Sequence, residues 1–407
     1  MADRAPIIDL DHHSTDFREN WEDIARHLHA MDFPMAWTEA HGGYWVLADW
    51  EEAKRVASDY ENYSSDNDIN NEREGYRGVA IPQQPYQLML SESDPPLSIA
   101  RRRLEMPFFT PKSLRTWGPK AEEFFHEALA NCRGREEVDL VNDIVIPTTA
   151  RTTLNLVGFE ADNWQDAAMS SHRAIYLPPE HPDYPHAEIA NTRQMFTRYL
   201  ADRRANPTGD IISALAHGQV NGQPLTDAEA ESMMYALVFA GFDTTTSAVV
   251  NALIWLARRK EARATLAASP QAMSLGIEEF LRYFPPTPGV ARNARHDVEI
   301  GGRKVRAGDR VWCWLGGANR DPKKFPEPDT LDVSRANAGE HLSFSAGPHR
   351  CLGAPLAKLE ITAMLETFIR EMPDYTIDEE RILSFPRVGT ILGYSSVPVR
   401  LNAAVNA

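Results

Sequence analysis

The stretch from about residue 226 to residue 260 sets the tightest limit on what this chain can fold into. Thr226-Asp227-Ala228-Glu229 reads as a capping box, in which a threonine hydroxyl and a glutamate carboxylate close the first turn of a helix. Roughly 35 helical residues would span about 50 Å, enough to cross a whole domain. From residue 233 to 250 that helix is apolar nearly all round, so every face of it must be covered by protein.

The remaining sequence supplies the cover. After Asp94-Pro95-Pro96, helical periodicity dominates to about Ala268, and earlier helical stretches span 21–29 and 50–57. Strand patterns are short and lie toward the two ends. They cover 43–48, 311–315 (placing Cys313 in a strand) and a hairpin turning at Gly301-Gly302. Residues 61–93 are polar and aperiodic, a long loop of the kind that carries function. The fold class is therefore mainly α with small β-sheets (α+β). With no linker, repeat or low-complexity tract, residues 1–407 read as a single domain, although length alone suggests two or three.

A net charge of −16 argues against nucleic acid and against an anionic membrane surface as partners. The longest uninterrupted apolar run, residues 233–242, falls short of the ~18 residues that span a bilayer. Met1-Ala2-Asp3-Arg4 lacks the features of a signal peptide, which points to a cytoplasmic protein. Cys132, Cys313 and Cys351 are far apart and show no C-x-x-C spacing, against a zinc or disulfide scaffold; Cys132, near a helix end, is expected at the surface.

Two segments break the rules the rest obeys. In the middle of the apolar helix stand Ala240-Gly241-Phe242-Asp243-Thr244-Thr245-Thr246. A glycine inside a helix costs about 1 kcal/mol against alanine. An acid in apolar surroundings costs more unless paired, and threonines bond back to backbone carbonyls and bend the helix. Three such violations at one place mark a functional site. Downstream, Phe344-Ser345-Ala346-Gly347-Pro348-His349-Arg350-Cys351-Leu352-Gly353 puts a lone cysteine in a glycine-punctuated loop ahead of a helical run over 354–371. There a thiolate gains backbone N–H donors and the positive end of the helix dipole. Gly347 and Gly353 admit positive φ or close backbone approach.

The spacing F-x-x-G-x-x-x-C-x-G resembles the haem-binding loop of the cytochrome P-450 superfamily. Gly241, Asp243 and Thr244 likewise match the A-G-x-D-T-T motif of that family's long central helix. The resemblance implies haem b as cofactor, Cys351 as axial iron ligand, and Phe344, Gly347 and Gly353 as the loop around it. It implies that the central helix opens to an oxygen pocket faced by Gly241. Thr244 would then hydrogen-bond the bound oxygen while Asp243 feeds protons inward. Arg102, Arg292 and His349 match positions that contact the haem propionates. Ser98 stands where many members carry a histidine, so one propionate is expected to be held more loosely or by a different group.

E-x-x-R is a further family signature and occurs three times, at Glu52/Arg55, Glu74/Arg77 and Glu279/Arg282. Roughly one occurrence is expected by chance at ordinary charge content. An apolar helix closed by Pro285-Pro286, 72 residues before Cys351, selects Glu279/Arg282, with Arg335 as the expected partner. The segments 36–38, 43–45 and 63–65 are similar to the camphor-hydroxylase branch. Alignment with the family places Tyr86, Leu88, Tyr176, Leu237, Val238, Pro288, Val290, Thr390 and Ile391 around the substrate, and residues 171–186 read as a lid.

These readings imply a monooxygenase that inserts one atom of O2 into a small lipophilic, terpenoid-like substrate by hydroxylation or epoxidation. Electrons are expected from a separate ferredoxin and its reductase, docking on a basic patch drawn from Arg101, Arg102, Arg103, Lys112, Arg115 and Arg350. Demethylation, desaturation or oxidative coupling in a biosynthetic pathway is the alternative within the family. A haem sensor or carrier is the alternative outside it, and the Asp243-Thr244 pair argues against that.

Overall fold

The computed structural model describes residues 6–66, 78–82, 87–160, 164–177, 181–386 and 390–401. Tyr86 and the Glu74/Arg77 pair lie outside the described residues. Helices make up most of the described residues, and the strands form one five-stranded sheet and four smaller ones.

The apolar stretch forms two helices, Asp227–Gly241 and Asp243–Leu256, joined at Phe242. Thr226 closes the first turn as a capping box, with its hydroxyl accepting from Glu229 N at 3.2 Å. One unbroken helix was expected. The break has the causes visible in the residues themselves: Thr244 Oγ1 donates to the Ala240 carbonyl at 2.9 Å and Thr245 Oγ1 to that of Gly241 at 3.4 Å. By length and composition the 30-residue pair could cross a membrane, but 67% of its most apolar window is buried inside the protein, as befits a core helix.

Around this axis pack Ile146–Val157, Trp164–Tyr176, Pro270–Tyr283 and Ala354–Glu371. Gly241 lies so close to the first of these that a Cβ there would meet Thr153 Cγ2 at 2.4 Å. The main sheet runs in the order Met35–Thr38, Tyr44–Leu47, Arg310–Trp314, Gly289–Ala294, Tyr63–Ser64. Cys313 sits in its middle, opposite Leu47 and Val290, and burial pushes its thiol up to about 12. Cys132 is buried as well rather than at the surface, and burial raises its thiol to about 11. It ends the helix Trp117–Asn131 on the inward-facing side, which a position near a helix end does not reveal.

Candidate active site

The helix Ala354–Glu371 begins immediately after Gly353, so the cysteine loop meets a helix N-terminus. The loop is closed by Cys351 N donating to Phe344 O at 2.9 Å. Gly347 has φ of 68°, and a Cβ there would lie 2.4 Å from Ser58 Cα, so glycine is needed on both counts. Gly353 needs neither; its φ is −79°, and its N–H, with that of Ala354, points at the sulfur. Burial raises the Cys351 thiol, while those two N–H groups, Arg102 and Arg350 pull it down. A bound metal ion would deprotonate a thiol in this position outright.

A cavity of about 300 Å³ separates this loop from the central helix. Cys351, Phe344 and Gly353 form one wall; Gly241, Thr244 and Leu237 form the other. Arg102 and His349 stand at its margin, and Arg292 lines the adjoining cavity. Both nitrogens of His349 are buried without a hydrogen-bond partner, as are the hydroxyls of Ser98 and Ser345. Burial and the nearby Arg292 and Arg102 guanidiniums hold His349 neutral, at about 3. Burial also lowers both arginines. Buried polar groups without partners beside one buried and one half-buried cation are the complement of a group carrying carboxylates. A thiol on the wall of a mostly apolar cavity completes the fit to haem.

Asp243 does not line this cavity. Its Oδ1 is 2.6 Å from Nδ1 of His172, on Trp164–Tyr176, and both side chains are 2% exposed. Glu360, which sequence reasoning missed, does line the cavity; burial raises its carboxyl well above the usual range, and the Thr245 hydroxyl pulls it back down. Its only sequence signal was an acid on the inner face of an amphipathic helix.

Below the cysteine, Glu279 accepts from Arg282 Nε at 2.7 Å, from Arg335 Nε at 3.1 Å and from Asp332 N at 2.9 Å. Arg282 and Arg335 then donate to carbonyls of Pro326, Pro328 and Thr330, pinning the 326–335 segment. Glu52/Arg55, in contrast, is a surface pair.

A second cavity of about 360 Å³ adjoins the first, sharing Leu88, Val290 and His349. Tyr176 and Thr390 line it; Val238, Pro288 and Ile391 line neither cavity and are packed behind the walls. His12 and His13, absent from the sequence reading, also line it. Their Nε2 atoms contact the Ile81 carbonyl at 3.0 and 2.9 Å, holding the 79–82 wall. Arg101 is not at the surface with the other basic residues; it is 6% exposed and ion-paired to Glu229.

A thiol and a threonine lining one cavity, with cations beside it, fit a haem-thiolate oxygenase. The family model for cytochrome P450 matches residues 273–380. Cytochrome P450(MEG) of Priestia megaterium is 30% identical over 359 residues, covering 82% of this chain and 84% of that protein. Erythromycin C-12 hydroxylase of Saccharopolyspora erythraea is 32% identical over 320 residues, covering 76% and 80%. A solved mutant of P450 EryK in complex with erythromycin B superposes with a TM-score of 0.82 at 28% identity, covering 94% of this chain and 97% of that one. P450BioI, solved in complex with acyl carrier protein bearing hexadec-9Z-enoic acid, gives 0.84 at 25% identity, covering 95% and 100%. The chain belongs to the cytochrome P450 family and is a haem-dependent monooxygenase.

Proposed function

We propose that residues 1–407 act as one cytoplasmic domain that hydroxylates or epoxidises a small lipophilic, terpenoid-like molecule, with electrons from a ferredoxin and its reductase. Haem, when bound, supplies O2 activation and transfer of one oxygen atom to substrate. The observation that carries the reading is Cys351 facing Thr244 across the 300 Å³ cavity.

In this reading Cys351 Sγ would hold the iron, and Arg102, Arg292 and His349 would hold the propionates. Thr244 presents a hydroxyl to the reacting side of the cavity, with its own proton given to Ala240 O and its lone pairs free to accept. Glu279, Arg282 and Arg335 fix the segment leading to the cysteine loop. Leu88, Tyr176, Val290 and Thr390 line the space left for substrate, mostly apolar with a few polar groups, which suits a lipophilic ligand. Arg103, Lys112, Arg115 and Arg350 are exposed, as a basic surface for an acidic ferredoxin requires.

The reduced, CO-bound absorption spectrum tests the assignment. The wild type should show the red-shifted thiolate band and Cys351→Ala should lose it. A nitrogen-ligated spectrum in the wild type would overturn the reading. Screening lipophilic compounds for a low-to-high-spin shift then identifies the substrate.

A further inference from the structure

Residues 79–82 all line the cavity of about 360 Å³, and none of them lines the haem-side cavity. This short strap belongs to no helix or strand, so its backbone groups need partners from elsewhere. Ala80 N donates to Glu92 Oε1 at 3.1 Å. The Ile81 carbonyl meets His12 Nε2 at 3.0 Å and His13 Nε2 at 2.9 Å.

A carbonyl only accepts, so both Nε2 atoms carry a proton, and both lone pairs of that oxygen are taken. Burial holds His12 well below the ordinary imidazole range, so its ring is neutral and its Nδ1 is an acceptor. The Tyr44 hydroxyl, itself raised by burial, donates to that Nδ1 at 2.6 Å. Tyr44 opens the strand Tyr44–Leu47 of the main sheet, and the His12 ring lies 4.5 Å from that of Trp312 in the strand Arg310–Trp314. A line of contacts thus runs from the sheet through His12 to the cavity wall. The turn bearing the two histidines is fixed as well, since Asp11 Oδ1 is 2.8 Å from both His13 N and His41 Nε2.

We propose that His12 and His13 are specificity-determining residues: by fixing the Ile81 carbonyl they hold residues 79–82 as a preformed wall against which longer ligands are selected. The proposal rests on the monooxygenase reading above. Val79 and Ile81 also pack in a cluster with Trp312 and Trp314. Apolar packing keeps the strap inside but is non-directional, whereas two donors on one carbonyl fix which way it faces. A ligand that meets a wall already in place does not have to order it on binding. Both histidines act through the strap and are positioning residues.

His12→Phe keeps a ring beside Trp312 and removes both polar links. His13→Leu removes one donor at a half-buried position, and His12→Gln and His13→Gln keep a donor near the place of Nε2. Haem-loaded wild type and the four variants are titrated with imidazole, which needs only the haem-side cavity, and with a biphenyl-substituted imidazole, whose added rings extend into the second. Binding is read from the shift of the haem absorption band, beside the CO band and the hydrogen-exchange rate of the Ala80 amide. Imidazole affinity should stay within about twofold of wild type throughout, while the biphenyl probe weakens about tenfold in His12→Phe and His13→Leu and recovers in the glutamine variants. Exchange at Ala80 should quicken in the same two variants only. Unchanged or tighter binding of the biphenyl probe in His13→Leu overturns the proposal, as does equal weakening of both probes or failure of the glutamine variants to recover. If His12→Phe does not hold haem, the His13 pair of variants decides alone. Absence of the thiolate band in the wild type would instead sink the monooxygenase reading.

Discussion

Replacing Glu105 with leucine should stabilise this enzyme, by an amount that grows with pH. Glu105 ends the helix Leu97–Glu105, is 0% exposed, and neither carboxyl oxygen has a hydrogen-bond partner. Burial raises its carboxyl to about 8, against 4.5 for an ordinary glutamate, and the Arg102 guanidinium only partly offsets this. Between those two values the unfolded chain has released the proton while the folded chain keeps it. Stability therefore falls as pH rises from about 4.5 and levels off above about 8. At about 1.4 kcal/mol per pH unit, the cost is about 3 kcal/mol at pH 7 and about 5 kcal/mol above pH 8. Glu105→Leu removes it. Urea unfolding of both holoenzymes at pH 5, 6, 7 and 8 should show the variant's advantage rising by about 1.4 kcal/mol per unit between pH 5 and 7. A constant difference across that range, or a variant less stable at pH 8 than at pH 5 relative to wild type, would refute a buried neutral acid at this place.

Glu279→Gln should lose about 3–5 kcal/mol, because two arginines are left without their shared buried carboxylate; urea midpoints and haem retention measure it, and unchanged values would make the network dispensable. Gly241→Ala should lose about 1–3 kcal/mol by overpacking against Thr153, and Thr153→Ala in the same chain should restore it. If the double variant stays as unstable as the single one, the glycine serves something other than that contact. Thr244→Ala should keep haem and substrate binding but divert electrons to hydrogen peroxide, and full coupling in that variant would place oxygen-side hydrogen bonding elsewhere.

Much of the site was legible because it is contiguous. The ten residues ending at Gly353 determine their own turn, and the helix after them, Ala354–Glu371, matches the periodicity of the sequence. Glu279, Arg282 and Arg335 are linked by a helical i,i+3 spacing and a short segment that returns to it. What stayed hidden is radial. The helix bearing Arg101, Arg102 and Glu105 is so polar that it reads as a solvated face, yet neighbours from other parts of the chain bury Ser98, Arg101 and Glu105. No local pattern announces that cover. His172 and His12 were likewise unreadable, since their partners lie 71 and 69 residues away.

The motif at 243–246 shows why adjacency misleads. Successive helical residues point about 100° apart. Thr244 accordingly faces the haem cavity and Asp243 does not. Thr245 lies beside Glu360, and Thr246 pairs with Thr149 at 2.9 Å. The four polar side chains thus divide between two surroundings: Thr244 and Thr245 line the haem cavity, while Asp243 and Thr246 line a small pocket with His172 and Tyr394, so an acid and an alcohol that are neighbours in sequence face opposite sides of the helix. The break at Phe242 falls next to the turn where Gly241 brings the backbone against Thr153. Reversing the order of Asp243 and Thr244 would preserve composition and helix propensity while turning the carboxyl into the haem cavity and leaving His172 to face a hydroxyl.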